Sequence, residues 1–561
     1  MRVLTAEQMR GVDAATVAGG GQSAVSAGAL MEAAGTAATA HLLGRFPEAA
    51  AGPITVICGK GNNGGDGLVV ARQLRQRGAA VRVILLTDPA TLRGAAAEKW
   101  AALQSLGAAL HLAPDAGAWA SAKPALSGAR LWVDAIFGTG LAAPPRGYYA
   151  QVIADLNRVG PRPPVLAIDL PSGLAADGEW SSTPLAEWDW EAVIRAQVTV
   201  TFTAPKLGAV MGPGVRHCGE LWIAGIGSPA AVVDQAPPAP APPGWGTAPL
   251  SAWLTTAADC AAFLQPRPSD AHKGRFGHVL VLGGSVGKSG AVAMAGEAAL
   301  RIGVGLVTAA VPRAILPSVA AYRPELMTEP LAETADGGIA AGVLEANVWG
   351  ALVRGKTVTA VGPGLSARAD VAATAREMIV RLPVPWVLDA DGLNAFAGRA
   401  AELRSAARSG VLTPHPGEMA RLLAISTTEV QQRRLACARR LAAESGAVVV
   451  LKGYRTLIAD PTGRLYINPT GNPGLATGGA GDILTGILAG LWAQYPAADA
   501  LRLAAAAVYL HGLAGDIAAD EIGEMPLCAT DITRCLPTAL RRARAAANDT
   551  EDGQRLAAEV V

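Results

Sequence analysis

Net charge is almost absent from this chain: 47 basic residues against 46 acidic ones leave a formal +1 at neutral pH. A balance that close gives no reason to expect nucleic acid or an anionic membrane surface as a partner. Paired cysteines are missing too. Cys58, Cys218, Cys260, Cys437, Cys528 and Cys535 show no C-x-x-C spacing, which argues against a zinc site or a thioredoxin-like pair and for reduced, mostly buried thiols. The opening MRVLTAEQMRGVD is polar and has no apolar signal core. The apolar stretch at residues 291–311 is interrupted by Glu297, Arg301 and several glycines, so it makes a poor membrane span. No short-period repeat is present. These absences lead us to expect a cytoplasmic protein with no membrane partner.

Length is what the chain has. At 561 residues it exceeds what one hydrophobic core serves, so two or more domains are expected. Its 51% hydrophobic content is mostly Ala, Val and Leu, which suits tight helix–sheet contacts. One boundary is visible in the run SPAAVVDQAPPAPAPPGWGTAP, which is dense in Pro and Ala without strand or helix periodicity and reads as an extended linker. We therefore expect a first domain over residues 1–228, a linker over 229–249, a second domain over 250–545 and a polar tail over 546–561. The segment 180–190 (WSSTPLAEWDW) reads as a surface insertion. Both parts alternate short β-branched runs with alanine-rich helical stretches, the pattern of an α/β protein with parallel sheets. The clearest strands are Ile54–Cys58, 81–86, Leu131–Ala135, Val165–Ile168 and Val198–Phe202, then His278–Leu282, 306–310, Val358–Val361, Trp386–Leu388, 411–413 and Val448–Leu451.

In the first half, strand Ile54–Cys58 runs into Gly59-Lys-Gly-Asn-Asn-Gly-Gly-Asp-Gly67. Gly59, Gly61 and Gly64 satisfy GxGxxG, and Asp88 follows the next strand where a ribose-binding acid would stand. The motif alone is weak. Asn62, Asn63 and Asp66 crowd polar side chains into that loop, either as ligand contacts or as turn caps. Two more strands end similarly, one in Asp134-Ala-Ile-Phe-Gly138-Thr-Gly140 and one in Asp169-Leu-Pro-Ser172-Gly173. Ligands of doubly wound sheets bind outside the carboxyl ends of strands. Asn63, Asp134 and Ser172 can thus supply oxygen ligands to one hard cation, with Asp169 facing a substrate. Asp134 as a cap or an arginine partner is the plainer alternative, and Lys206 either faces the site or, as the safer reading, makes a surface salt bridge.

The second half ends in Gly471-Asn-Pro-Gly-Leu-Ala-Thr-Gly-Gly-Ala-Gly-Asp482 before an apolar helical run. Glycines so close together let backbone N–H groups turn inward as an anion nest at a helix N-terminus. Asp482 then stands where a base meets a phosphoryl acceptor, unless it only caps the helix. Gly283-Gly-Ser-Val-Gly287-Lys288-Ser289 nearly spells a P-loop, but Leu282 occupies the required glycine. Asp389 and Asp391 read as caps with no assigned role. His511 and Asp516 fall on a late helix whose use the sequence leaves open.

GKGNNGGDG, VDAIFGTG, DLPSG and TFTAPKLG, with LTAEQMRGVD before them, resemble NAD(P)H-hydrate epimerase over nearly all of residues 1–228. That resemblance implies a Rossmann-like three-layer domain. It also implies hydrate contacts from Asn62, Asn63, Gly64, Gly65 and Asp66 and from Gly138, Thr139, Gly140, Leu141, Ala142, Ala143 and Pro144. Asp169 would be the catalytic acid beside the ring, and Asn63, Asp134 and Ser172 would hold K+. GGSVGKSGA, GPGL, LTPHPGEMARL, LKG and GNPGLATGGAGD resemble ADP-dependent NAD(P)H-hydrate dehydratase, a ribokinase-like α/β fold, with Ala480 and Tyr454-Arg455 as small departures. This implies Asp482 as base and hydrate contact. Ala291, Gly364 and His415 would also contact the hydrate, while Lys452, Gly453, Tyr454, Arg455, Thr456 and Gly481 would hold ADP, used with Mg2+. A buried structural role is the alternative for His415. The expected partners are NADH hydrate, NADPH hydrate and ADP, in a homo-oligomer. A small-molecule kinase joined to a dinucleotide-binding regulatory module is the competing reading.

Overall fold

Strands whose residues are apolar without interruption are buried on both faces, and central strands of both sheets, such as Val165–Ile168 and Val448–Leu451, are built that way. The computed structural model describes residues 1–19, 25–178, 188–240 and 248–548. Chain contacts divide it into two units, one from Met1–Ala239 and a second starting at Pro240.

In the first unit the sheet strands are β1 (Ile54–Cys58), β2 (Val81–Leu85), β3 (Ala109–Leu112), β4 (Leu131–Ala135), β5 (Val165–Ile168), β6 (Val198–Phe202) and β7 (Glu220–Ala224). Their order is β3-β2-β1-β4-β5-β6-β7, and every neighbouring pair is parallel. The order reverses between β1 and β4, which opens a crevice at their carboxyl ends. One face packs Ala38, Leu42, Leu68 and Leu74 from helices Ala27–Arg45 and Asn62–Gln76. The other packs Trp119, Ile153 and Leu156. Three layers result.

The Pro/Ala-rich run departs from expectation. Ala230–Asp234 is a short helix, and Val232, Val233 and Ala236 pack on Leu4, Met9 and Val12. Gln8 Nε2 donates to Pro237 O (2.7 Å) and Arg2 to Ala236 O (3.0 Å). The apolar valines and alanines, unreadable as a periodic pattern, find a surface to cover. Residues 241–247 of this run, 180–187 of the expected insertion and 549–561 of the tail lie outside the described residues. The end of the insertion is described: the Trp190 ring stacks on His217 with centroids 5.1 Å apart.

In the second unit the strands are β8 (Ser251–Leu254), β9 (His278–Leu282), β10 (Leu306–Pro312), β11 (Met327–Leu331), β12 (Val358–Val361), β13 (Trp386–Leu388), β14 (Gly410–Leu412), β15 (Val448–Leu451), β16 (Leu457–Ala459) and β17 (Arg464–Ile467). From β11 the order runs β11-β10-β9-β12-β13-β14-β15, all parallel, then β16 and β17 antiparallel, with β8 parallel to β17. The parallel part has the same reversal as the first sheet, here between β9 and β12. Helices Ser289–Ile302 and Ala480–Gln494 cover one face together. Glycine sets how closely they cross, since a Cβ on Gly486 would lie 2.1 Å from Ala295 O. No helix among the described residues is long and apolar enough to cross a membrane. Five of the six cysteines are buried, and Cys528 is exposed.

Two candidate active sites

Three loops meet at the β1/β4 reversal of the first unit. The one after β1 starts helix Asn62–Gln76 at Gly61, which leaves Asn63 and Asp66 buried and Asn62 exposed. Both polar atoms of the Asn63 amide are buried without a hydrogen-bond partner among the described residues. An orphaned amide of that kind costs about 1–3 kcal/mol, so a ligand for it is the economical reading. The loop after β4 is led by Asp134, still within the strand and 1% exposed, whose Oδ1 accepts from Ser172 Oγ (2.6 Å) and whose Oδ2 accepts from Ser172 N (2.8 Å). Burial lifts its pKa to about 6 against those donors. The loop after β5 holds Asp169 in the left-handed region (φ 66°). Asp169 Oδ2 accepts from the Thr139 N–H (3.0 Å) and Oδ1 from Thr201 Oγ1 (3.2 Å).

Lys206 is not a surface residue. It is 1% exposed, lies 2.7 Å from Asp169 Oδ1, and donates to Thr201 Oγ1 and Phe202 O, both at 2.9 Å. Burial pushes Asp169 upward, but Lys206 and the donors outweigh it and hold the carboxyl below its ordinary value. Asp66 is shifted the other way: burial, then Asp169 and Asp13, drive it well above its ordinary value, and Lys206 offsets only part of this. Asp13, from the opening motif, is itself raised by burial. Its position next to this cluster is invisible in sequence, where it is one acid on an N-terminal helix. Asp88 caps the turn Pro89–Thr91 by accepting from Ala90 N (2.9 Å).

Gly138 sits against the centre of this cluster. A Cβ there would stand 2.7 Å from Asp169 Oδ2 and 3.3 Å from Asn63 Oδ1. Gly64 and Gly65 are equally confined, by Gly59 O and the Met31 side chain. The loop beyond, at residues 140–144, is more open, with Gly140, Ala142 and Ala143 exposed and Leu141 and Pro144 half-buried. Gly138→Ala should lower the epimerisation rate about a hundredfold by displacing the carboxylate roughly an ångström. The melting temperature should stay near that of the parent, which a thermal melt beside a rate measurement checks.

The second cluster lies at the carboxyl ends of β12 to β15. Gly479 (φ 93°) opens helix Ala480–Gln494, so Asp482 stands on the first turn and is not its cap. No hydrogen bond to the Asp482 carboxylate occurs among the described residues. Burial, then Asp389 and Asp391, raise it to about 7 while Lys452 pulls the other way. Lys452 Nζ is 2.9 Å from Asp389 Oδ1 and 3.9 Å from Glu418 Oε2. A Cβ on Gly481 would come within 3.2 Å of that ammonium, which places it at the nest.

Asp389 is not a cap either. It is 1% exposed and spends both oxygens on Lys452 Nζ and Thr485 Oγ1 (2.7 Å). Asp391 accepts from Lys288 Nζ and Ser366 N, each at 2.9 Å. His415 is exposed rather than buried and caps helix Pro416–Leu423, its Nδ1 accepting from Gly417 N (3.0 Å). Burial, then Lys452 and Arg421, lower its pKa. Ala291 and Gly364 meet at the β9/β12 reversal, where a Cβ on Gly364 (φ 64°) would touch the Ala291 Cβ at 3.2 Å. Lys452–Thr456 is the hairpin turn from β15 to β16. There Tyr454 is 56% exposed, whereas Arg455 is buried and donates to Pro469 O (3.4 Å). The late helix Ala500–Ile522 braces the glycine loop: His511 Nε2 lies 3.0 Å from Ala480 O, and Asp516 accepts from Gly471 N and Asn472 Nδ2, both 2.9 Å.

A base titrating near 7 is ionised more fully as pH rises, so a rate that needs ionised Asp482 should climb through that region and level off. The kcat of dehydration, measured from about pH 5 to about pH 9 at saturating substrates, is expected to fall about tenfold per unit on the acid side.

Comparison with known proteins follows this division. The NAD(P)H-hydrate dehydratase family profile matches residues 279–538, and that of the YjeF-related protein N-terminus matches residues 27–208. The bifunctional NAD(P)H-hydrate repair enzyme of Moorella thermoacetica is 43% identical over 491 residues, covering 87% of this chain and 87% of that protein. Its counterpart in Coxiella burnetii is 40% identical over 515 residues, covering 91% and 94%. Among solved structures, ADP/ATP-dependent NAD(P)H-hydrate dehydratase from Bacillus subtilis is 32% identical, covering 51% of this chain and 97% of that one with a TM-score of 0.44. With two relatives this similar along most of their length and both halves matched in order, the chain belongs to the family of bifunctional NAD(P)H-hydrate repair enzymes, an epimerase followed by a dehydratase.

Proposed function

We propose that the first unit interconverts the R and S hydrates of NADH and NADPH at Asn63, Asp134 and Asp169, and that the second removes water from the S form at Asp482 using ADP. Loss of hydroxide from C6 of the hydrate leaves a cation that the ring nitrogen stabilises, and hydroxide returning to the opposite face inverts the centre. Asp169, kept ionised by Lys206, stabilises that cation and moves the proton. The loop residues Asn62–Asp66 and 138–144 enclose the ring.

The Asn63 Oδ1, Asp134 and Ser172 oxygens form a set of one carboxylate and neutral donors. Among the described residues no three His, Cys, Asp or Glu side chains gather as a metal cluster. With the Asn63 amide unpartnered, that set fits K+ better than a transition metal. K+ held there would supply a fixed positive charge.

In the second unit Asp482 takes the C6 hydroxyl proton, the oxygen attacks the β-phosphorus of ADP and AMP leaves. The phosphate then departs with the C–O electrons as the ring nitrogen donates, and loss of the C5 proton restores the double bond. N–H groups around Gly479 and Gly481 hold the moving phosphoryl group, and Lys452 neutralises it. Ala291, Gly364 and His415 face the hydrate, and Lys452–Thr456 the nucleotide. Glu418 fits the one-carboxylate holding that Mg2+ takes beside substrate phosphates; bound there, Mg2+ would offset phosphate charge.

The observation that carries this reading is Asp482, donorless and titrating near neutrality on a glycine-led helix start beside Lys452. The test follows NADH absorbance from an equilibrated R/S hydrate mixture with Mg2+ and K+, with and without ADP. Full recovery that requires ADP is expected. Recovery stalling at the S fraction would remove the epimerase assignment. No recovery would remove the dehydratase and favour a small-molecule kinase.

A further inference from the structure

Helices Ser289–Ile302 and Ala480–Gln494 begin at the dehydratase site and both end at a pocket of about 590 Å³, where Ile302, Gly303 and Gln494 form part of the wall. The distance from Asp482 along its helix is roughly 20 Å. Arg267, Arg275, Arg301, Arg541 and Arg544 line this pocket, and no carboxylate does. They come from three segments far apart in the chain: the stretch before β9, the end of helix Ser289–Ile302, and one face of helix Ala529–Asn548.

Part of that charge has a structural use. Arg267 donates to Gly303 O and lies 3.8 Å over the Phe276 ring. Arg301 is 3.8 Å from Glu297, a carboxylate that Arg323 already holds. Cations at helix C-termini are favourable, but each terminus is worth only about half a charge. Two helix ends therefore offset roughly one of five positive charges. Among the described residues the Arg541 guanidinium hydrogen-bonds only to the neutral Thr538 hydroxyl (3.0 Å). The Arg275 and Arg544 guanidiniums have no hydrogen-bond or ion-pair partner among the described residues. These arginines are exposed, and guanidiniums gathered around one concavity give it a positive potential that attracts anions.

We propose that this pocket is a binding site for an anion carrying two or more phosphates, separate from the ADP site at Lys452. The guanidinium fork matches phosphate oxygens two at a time, and several forks from different directions suit a chain of phosphates better than one. The volume falls in the range of small-molecule sites. Tyr495 and Phe276 add aromatic surface at the wall.

The probe is sodium tripolyphosphate, titrated into the full-length protein by calorimetry in low salt with Mg2+ in excess. The parent protein is expected to bind it with an affinity that drops steeply as NaCl is added. The double variant R541S/R544S should bind at least about tenfold more weakly, while its KM for ADP, its dehydration rate and its melting temperature match the parent. Arg275→Ser alone should weaken binding in the same direction. Absence of binding by the parent, or equal affinity in parent and double variant, would overturn the site. So would tripolyphosphate binding that ADP displaces completely. Because the readout is binding, none of these outcomes bears on the repair reaction.

Discussion

Asp482→Asn should lower the kcat of ADP-dependent dehydration by about 10²–10⁴-fold, the range over which a positioned general base acts. ADP affinity and stability should barely change, and the reason lies in the surroundings of the carboxylate. No donor within the fold depends on Asp482, so the amide leaves nothing unsatisfied. Burial first, then the neighbouring Asp389 and Asp391, push its pKa up to about 7, so the charge is a strain on the folded state as well as a tool. Removing it relieves repulsion, and a melting temperature equal to or slightly above the parent's is expected. The acid limb of the pH–rate profile should vanish with the base. Epimerisation, run by the other unit, serves as the internal control. A kcat within tenfold of the parent's would show that another group takes the proton.

Asp389 adds to what burial does at Asp482, and it also marks where reading the sequence stops. Buried acids that follow a strand resemble helix caps, and Asp389 even occupies a cap position before Ala390–Asn394. Its side chain instead reaches Lys452, 63 residues away, and Thr485, 96 away. Nothing local encodes such a partner. Lys206 is the same case in the first unit: a lysine four residues past a strand is most often solvated, and only the tertiary fold puts it on Asp169. His415 errs the other way, since Pro416 starts a helix and the imidazole substitutes for the usual Ser or Asp at the cap.

Strands divided along equally physical lines. β1, β4, β5, β6, β12, β13 and β15 are buried throughout, and β9 beyond His278, so their runs are legible. β3 and β11 lie at sheet edges with solvent on part of each, and β11 even holds a proline, so neither shows a run to read. β8, β16 and β17 extend the second sheet beyond its parallel part and are short. The glycine loops were the strongest signal because confinement leaves no substitute: at Gly59, Gly64, Gly283 and Gly362 a Cβ would lie within 2.3 Å of a carbonyl oxygen. Such positions announce a backbone crossing wherever they fall, and both sheets reverse at theirs.

Lys206→Met tests the other half of the enzyme and should be the most destabilising single change at either site. The ion pair with Asp169 is almost wholly inside, with side-chain exposures of 1% and 11%. Methionine fills much of the volume but leaves Asp169 buried without its countercharge, which costs about 3–5 kcal/mol. The pH dependence supplies a signature that a packing defect would not. In the parent, Asp169 sits below its ordinary pKa, so its contribution is present at neutral pH and lost as pH falls through the folded value. Without Lys206 only the Thr139 and Thr201 donors stand against burial, and the pKa is expected to rise from its value in the parent. The variant should therefore gain stability relative to the parent on acidification and lose it as pH increases. Adding Asp169→Asn removes the stranded charge, so the double variant should melt above Lys206→Met alone, even though epimerisation is lost in both. Melting curves across pH for the parent, both single variants and the double variant close the cycle. Additive losses, with no rescue by the second change, would show that Lys206 acts through packing and that the ion pair does not set the charge of Asp169.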